Sequence, residues 1–196
     1  HLSQFGIMEN FAQLVYSLDQ TTKTNKKIDL LVSFFSNASS SDKLWCIALF
    51  SGRRPKRLIS TKYLRQWACE ETDLPTWLLE DTYSVVGDLA ETISLLTQEK
   101  NQISTKSLTS WISELRQLEN EGLEEKRDFV TNAWSTLNRQ ERFVFNKLIT
   151  GGFRLGVSQK LTIRALSKVT KIDQFELSLR LMGNWHPDTI SWSSLI

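Results

Sequence analysis

Apolar residues return at helical spacing along nearly the whole chain. Phe11, Leu14, Val15 and Leu18 form one stripe and Ile28, Leu31, Val32 and Phe35 the next, both at the i, i+3, i+4, i+7 interval that lines one helix face. Leu44, Trp45, Ala48 and Leu49 predict a third helix capped by Ser41 or Asp42. A fourth starts after Ser60 and turns Leu64, Trp67 and Ala68 inward. Pro75 suits the first turn of a fifth, with Leu78, Leu79 and Tyr83, and Gly87 separates it from the stripe Leu89, Ile93 and Leu96. Residues 97–107 are polar and patternless, so they read as a loop, and Trp111, Ile112 and Leu115 mark a short helix after it.

Phe129, Val130, Ala133, Trp134 and Leu137 predict a longer helix. The stretch NRQE from Asn138 has the capping-box pattern, and its helix would run through Phe143, Lys147 and Leu148 to stop at Gly151. Ser158 is the natural cap of the next, with Leu161, Ala165, Leu166 and Val169 inward. Asp173 to Glu176 repeats the box, and that helix ends at Gly183. No segment alternates as a strand does, and no Asn-Gly or Asp-Gly hairpin turn is present. The expected class is all-α, a single domain of roughly ten helices, with no internal repeat of fixed period. Trp45, Trp67, Trp77, Trp111 and Trp134 sit at core spacing, whereas Trp185 and Trp192 lie in the tail and are expected to contact something outside the chain.

Composition adds little to this picture. At 196 residues, 40% hydrophobic and 23% charged, the chain can bury a substantial core as an ordinary soluble domain. No apolar run approaches the roughly 18 residues of a membrane span, and no signal peptide opens the sequence. HLSQFGI has no helical logic, so residues 1–7 are expected to be a cloning remnant ahead of a natural start at Met8. Cys46 and Cys69 lack CxxC spacing and neighbouring histidines, so free, buried or half-buried thiols in a reducing cytoplasm are the expected reading.

Charge changes the picture more. The net charge is only +2, but the charges are segregated. Residues 43–69 hold seven bases and no acid, residues 142–172 hold another seven and no acid, and together these are fourteen of the 24 bases. The acids gather in residues 70–91 and 114–128. Such segregation predicts one cationic face on a nearly neutral body.

Catalytic signatures are missing: there is no GxSxG, no P-loop and no paired histidine set, and His1 and His186 are the only histidines. Binding signatures are present. In SGRRPKRLIST, Gly52 ends a helix, Pro55 stiffens the connection, and Arg53, Arg54, Lys56 and Arg57 project before Ser60 and Thr61, whose hydroxyls and helix-start amides can hold a phosphate. In ITGGFRLGVSQKLTIRAL, Gly151, Gly152, Arg154 and Gly156 precede the helix capped by Ser158. A glycine-rich turn before a capped helix presents free N–H groups with the positive end of the dipole behind them. Lys160, Arg164, Lys168 and Lys171 share one face of that helix. A tight helix–helix turn would also use the glycines; with Arg154 and the basic stripe, phosphate approach is the better reading. TTKTNKK at 21–27 could touch phosphate or simply cap a helix.

SGRRPKRLIS, VGDLAETISLL, ERFVFNKLITGGFRLGVS and LRLMGNWHP together resemble the N-terminal DNA-binding domain of bacterial ATP-dependent DNA ligases, over about Met8 to Pro187. The resemblance implies an all-helical domain over 8–183 that grips nicked duplex DNA along its minor groove and phosphates without reading sequence. It also implies that 184–196 begins the connection to an adenylation domain. The partners implied are nicked double-stranded DNA and the adenylation and OB-fold domains of the same longer chain, in a monomeric, cytoplasmic, nucleoid-associated enzyme of repair, replication and recombination. ATP and Mg2+ are expected for that full-length enzyme and no cofactor for this segment. The family's adenylated lysine lies in Lys-x-Asp-Gly, and this chain has no Asp-Gly dipeptide, so it is expected to be inactive alone. Two other readings stand beside this one: a sequence-specific helix-turn-helix regulator using 158–171, and a helical scaffold for protein partners. The basic face of 158–171 offers few amides for base edges, which disfavours the first.

Overall fold

The stripe of Phe11, Leu14, Val15 and Leu18 is buried along α1 (Met8–Asp19), and Ile28, Leu31, Phe34 and Phe35 are buried along α2 (Thr24–Asn37). These belong to a computed structural model that describes residues 8–53, 55–98, 104–150, 153 and 156–196. The described residues form twelve helices and no strand, so the chain is all-α. They divide into two compact units, one drawn from residues 1–54, 106–109 and 153–196 and the other from 55–105 and 110–152. The chain passes between units within SGRRPKRL, on either side of residues 106–109, and again within TGGFRLG.

Unit 1 contains α1, α2, α3 (Ser40–Phe50), α10 (Gln159–Thr170), α11 (Gln174–Met182) and the short α12 (Trp192–Leu195). Its most extensive packing is α2 on α10, with α1 against α2, α11 against α10 and α12 against α3. Phe11 is the hub, with ring centroids 6.0 Å from those of Phe34, Phe50 and Phe153.

The cap of α3 is Ser39, whose Oγ accepts from the N–H of Asp42 at 3.3 Å; this corrects the expectation of Ser41 or Asp42. Asp42 is occupied elsewhere. Its buried carboxylate accepts from the N–H of Thr109 at 3.0 Å and from the Thr109 hydroxyl at 2.6 Å, at the start of α7 (Leu108–Gln117). The tail is also packed. Trp185 is buried and donates its indole N–H to the Leu181 carbonyl, and Lys43 sits 4.6 Å from the centroid of Trp192. For Trp185 the expectation of a contact outside the chain is therefore corrected, while Trp192 is half-buried.

Unit 2 contains α4 (Thr61–Thr72), α5 (Thr76–Val86), α6 (Leu89–Leu96), α8 (Leu123–Thr136), α9 (Arg139–Thr150) and α7 from Ser110 onward. α6 packs along α9, and α4 meets α5, α6 and α8. Asn146 on α9 ties this core: it accepts from the Trp134 indole N–H at 2.7 Å and donates to the Ala90 carbonyl at 3.2 Å. The capping box at Asn138 is made reciprocally with Glu141, at 2.9 and 3.3 Å. In unit 1, by contrast, Asp173 caps the Phe175 N–H while Glu176 turns to Arg180 instead of closing its box. Trp77, placed at core spacing by the sequence, is exposed, because no described residue covers that side of α5.

Candidate nucleic-acid interface

In unit 1 the site is built on the start of α10. Gly156 holds φ at +64°, a left-handed conformation that glycine adopts without cost, which turns the chain into the helix. Two residues later Ser158 caps α10 by accepting from the Leu161 N–H at 3.2 Å. Gln159 and Lys160 occupy the first two helical positions, so no carbonyl of α10 can accept their N–H groups. Lys160 and Lys168 are exposed and Arg164 is half-buried along one side of α10, while Ile163, Ala165 and Leu166 are buried on the other. Lys171 has left the helix: it is the left-handed C-cap, with φ at +64°.

The start of α2 joins this site, which the sequence left open. Lys27 extends its ammonium to the Gly156 carbonyl at 3.1 Å, and Lys23 and Lys26 are exposed in the same helix start. The first turn of α2 and the turn into α10 thus lie side by side, bringing two positive dipole ends and three lysines together. Only the fold could reveal this, since 129 residues separate Lys27 from Gly156.

Arg53 is placed differently from its neighbours in the sequence. Its guanidinium donates to the Leu181 carbonyl at 3.3 Å and the Gly183 carbonyl at 3.0 Å and lies 4.4 Å from the centroid of Trp185. It clamps the C-terminal end of α11, where unsatisfied carbonyls favour a cation.

In unit 2, Ser60 caps α4 by accepting from the Lys62 N–H at 3.3 Å, with Thr61 half-buried at the first helical position. Arg57 is exposed and donates from Nε to the Ile59 carbonyl at 3.3 Å. Lys56 pairs with Glu119 at 2.7 Å, and that hydrogen bond holds the ammonium pKa up and the carboxyl pKa down. Both side chains are exposed, and pairs of this kind exchange partners easily.

A second turn in unit 2 mirrors the one before α10. Gly87 sits at φ +81°, and Asp88 caps α6 by accepting from the Glu91 N–H at 2.8 Å. Lys147 pairs with the Asp88 carboxylate, so this helix start carries its own anion. The sequence signal that could have shown the kinship is a glycine followed by a capping residue, Gly-Asp here and Gly-Val-Ser before α10.

The number of bases in the acid-free windows overstates the cationic surface. Arg142 is fully buried and donates to the Thr97 carbonyl at 2.7 Å, and Lys147 is held by Asp88. Arg54, Gly151, Gly152 and Arg154 lie outside the described residues. Both cysteines are free, Cys46 buried and Cys69 half-buried, and burial pushes both thiols up. Among the described residues no cluster of His, Cys, Asp or Glu could hold a metal ion, and no helix is long and apolar enough to cross a membrane.

Against known proteins, a family model described as "DNA ligase N terminus" matches residues 8–167. A protein of Dictyoglomus turgidum named "Probable DNA ligase" is 25% identical over 164 residues, which cover 80% of this chain. The chain spans 28% of the length of that relative.

Proposed function

Because the chain belongs to the DNA ligase N-terminus family, we propose that it binds nicked duplex DNA through the sugar–phosphate backbone, without reading sequence, on behalf of a longer ligase polypeptide. The observation that carries this reading is the start of α10: a left-handed glycine, a serine cap, two N–H groups that no α10 carbonyl can accept and the row Lys160, Arg164 and Lys168. A phosphate oxygen is the acceptor such a helix start suits best. Lys23, Lys26 and Lys27 extend the same cationic surface from α2.

In unit 2, Arg57, Lys56, Ser60 and Thr61 offer a second set of backbone contacts. Arg54, Gly151, Gly152 and Arg154 complete the proposal by their position in the two connecting stretches. Arg53 serves it indirectly, by fixing the first of those stretches to α11. We assign residues 8–183 to the DNA-binding domain and 184–196 to the approach to an adenylation domain. In this reading adenylyl transfer and strand sealing are assigned to other domains of the longer ligase, because the sequence has no Lys-x-Asp-Gly.

The test is fluorescence anisotropy of a labelled nicked duplex at two salt concentrations, with unrelated duplex and single-stranded DNA as competitors. The expected result is sequence-blind duplex binding that weakens steeply with salt. Replacing Lys160, Arg164 and Lys168 together with alanine should flatten the slope of log K against log salt by about 0.9 for each phosphate that is no longer neutralised. Preference for one sequence would point instead to a regulator, and absence of binding at low salt would overturn the reading.

A further inference from the structure

Helix α5 in unit 2 has an outer face that neither the core nor DNA explains. Trp77 is 64% exposed and Val85 is 87% exposed, and Asp81 lies between them at four-residue intervals on the same stripe. Tryptophan is rarely left in solvent on a helix unless something else covers it. Two apolar side chains about 12 Å apart, at 1.5 Å per helical residue, are spaced as anchors for one short segment.

Along the chain the charge around them is of one sign, and Arg65 from α4 is the cation that reaches α5 among the described residues, over Tyr83 and against Glu80. Residues 70–91 contain seven acids and no lysine or arginine. Three of those acids are neutralised from neighbouring helices, Glu80 by Arg65 at 3.3 Å, Glu70 by Arg127 at 2.8 Å and Asp88 by Lys147. Glu71, Asp73 and Asp81 are exposed, and among the described residues no cation pairs with them. A duplex would be repelled by this face. A protein segment that combines lysines or arginines with an apolar anchor would be attracted to it and would cover Trp77.

We infer that the exposed face of α5, centred on Trp77, Asp81 and Val85, is a docking surface for a basic, apolar-anchored segment of a partner protein. The charge complementarity selects that occupant. The interaction is separate from DNA binding, so the same molecule can hold a duplex through its cationic elements and a protein through α5.

The probe is a synthetic 12-residue peptide of lysines with leucine at every third or fourth position. It is titrated into the 15N-labelled 196-residue protein and followed by amide chemical shifts. Two control peptides put serine for leucine and glutamate for lysine. The lysine–leucine peptide should shift amides of residues 70–91, and both controls should bind about tenfold more weakly or less. Trp77→Ala and Asp81→Lys alter exposed positions, so the fold should be kept. Each should weaken the peptide by about tenfold, while nicked-duplex affinity, measured in parallel, changes by less than about twofold. Equal peptide affinity in the variants, shifts that map away from residues 70–91, or no binding at millimolar peptide would each overturn the inference. Loss of DNA binding alone would count against the proposed function and leave α5 standing.

Discussion

Gly156 separates two reasons for a glycine, backbone conformation and close approach, and two substitutions tell them apart. At φ +64° an L-residue is strained by about 1–2 kcal/mol. A Cβ there would lie 3.1 Å from the Lys27 ammonium, the end of a flexible side chain that can swing away at the cost of one exposed hydrogen bond. Stiffening of the unfolded chain by alanine offsets about 0.4–1 kcal/mol. Gly156→Ala should therefore destabilise unit 1 by about 0.5–1.5 kcal/mol net, and Gly156→Asn by less, because asparagine tolerates the left-handed region. Native-state amide exchange reads the two units separately: α2 and α10 amides should exchange about two- to twelvefold faster in the alanine variant, while α6 and α9 amides stay unchanged. Duplex affinity supplies the second axis. If a phosphate passes close to the turn, Gly156→Asn should lose DNA affinity while keeping near-native exchange. Native protection in the alanine variant would refute the conformational argument, and native DNA affinity in the asparagine variant would refute the close approach.

Two further outcomes follow from the buried polar groups. Burial raises the Asp42 carboxyl pKa above 3.8, against the lowering by its hydrogen bonds from Thr109 and Leu108. A raised folded pKa means that the folded state holds the proton more tightly, so ionisation costs stability at neutral pH and that cost is relieved as pH falls through the folded value. Asp42→Ala should lose about 1–3 kcal/mol through the unsatisfied donors of α7, and the wild-type advantage should widen between pH 7 and about 4 in urea titrations. A narrowing gap would show the carboxylate to be stabilised instead. Asn146→Leu keeps the branching of the side chain but strands the Trp134 indole N–H, while the Ala90 carbonyl keeps its bond within α6, so exchange of α6 and α9 amides should report a loss of about 1–3 kcal/mol; less than about 0.5 kcal/mol would refute the account.

Most helices were legible because the apolar stripes are local and strong, and caps such as Ser158 and the Asn138–Glu141 box close within four residues. The errors arise where a distant partner decides. Asp42 reads as a cap until Thr109, 67 residues on, claims its carboxylate. Trp77 has the spacing of a core residue, but spacing says which residues share a face and not whether another helix covers it. Arg142 reads as a surface cation until the fold buries it against Thr97. For the candidate site, the glycine, the cap and the basic row before and along α10 were readable from sequence. The α2 lysines and the role of Arg53 were not, since each depends on partners well over a hundred residues away.

The packing of the tail has a mechanical consequence. Arg53 grips the end of α11, Trp185 lies beneath that guanidinium, and Leu195 is buried at the far end of α12. Residues 184–196 therefore behave as a wall of unit 1 and not as a leash. In a ligase polypeptide that continues beyond Ile196, the next domain would start from a fixed anchorage, so its swing would be set by the residues after this point. A cut at Gly183 would uncap the clamp and open a seam along α3.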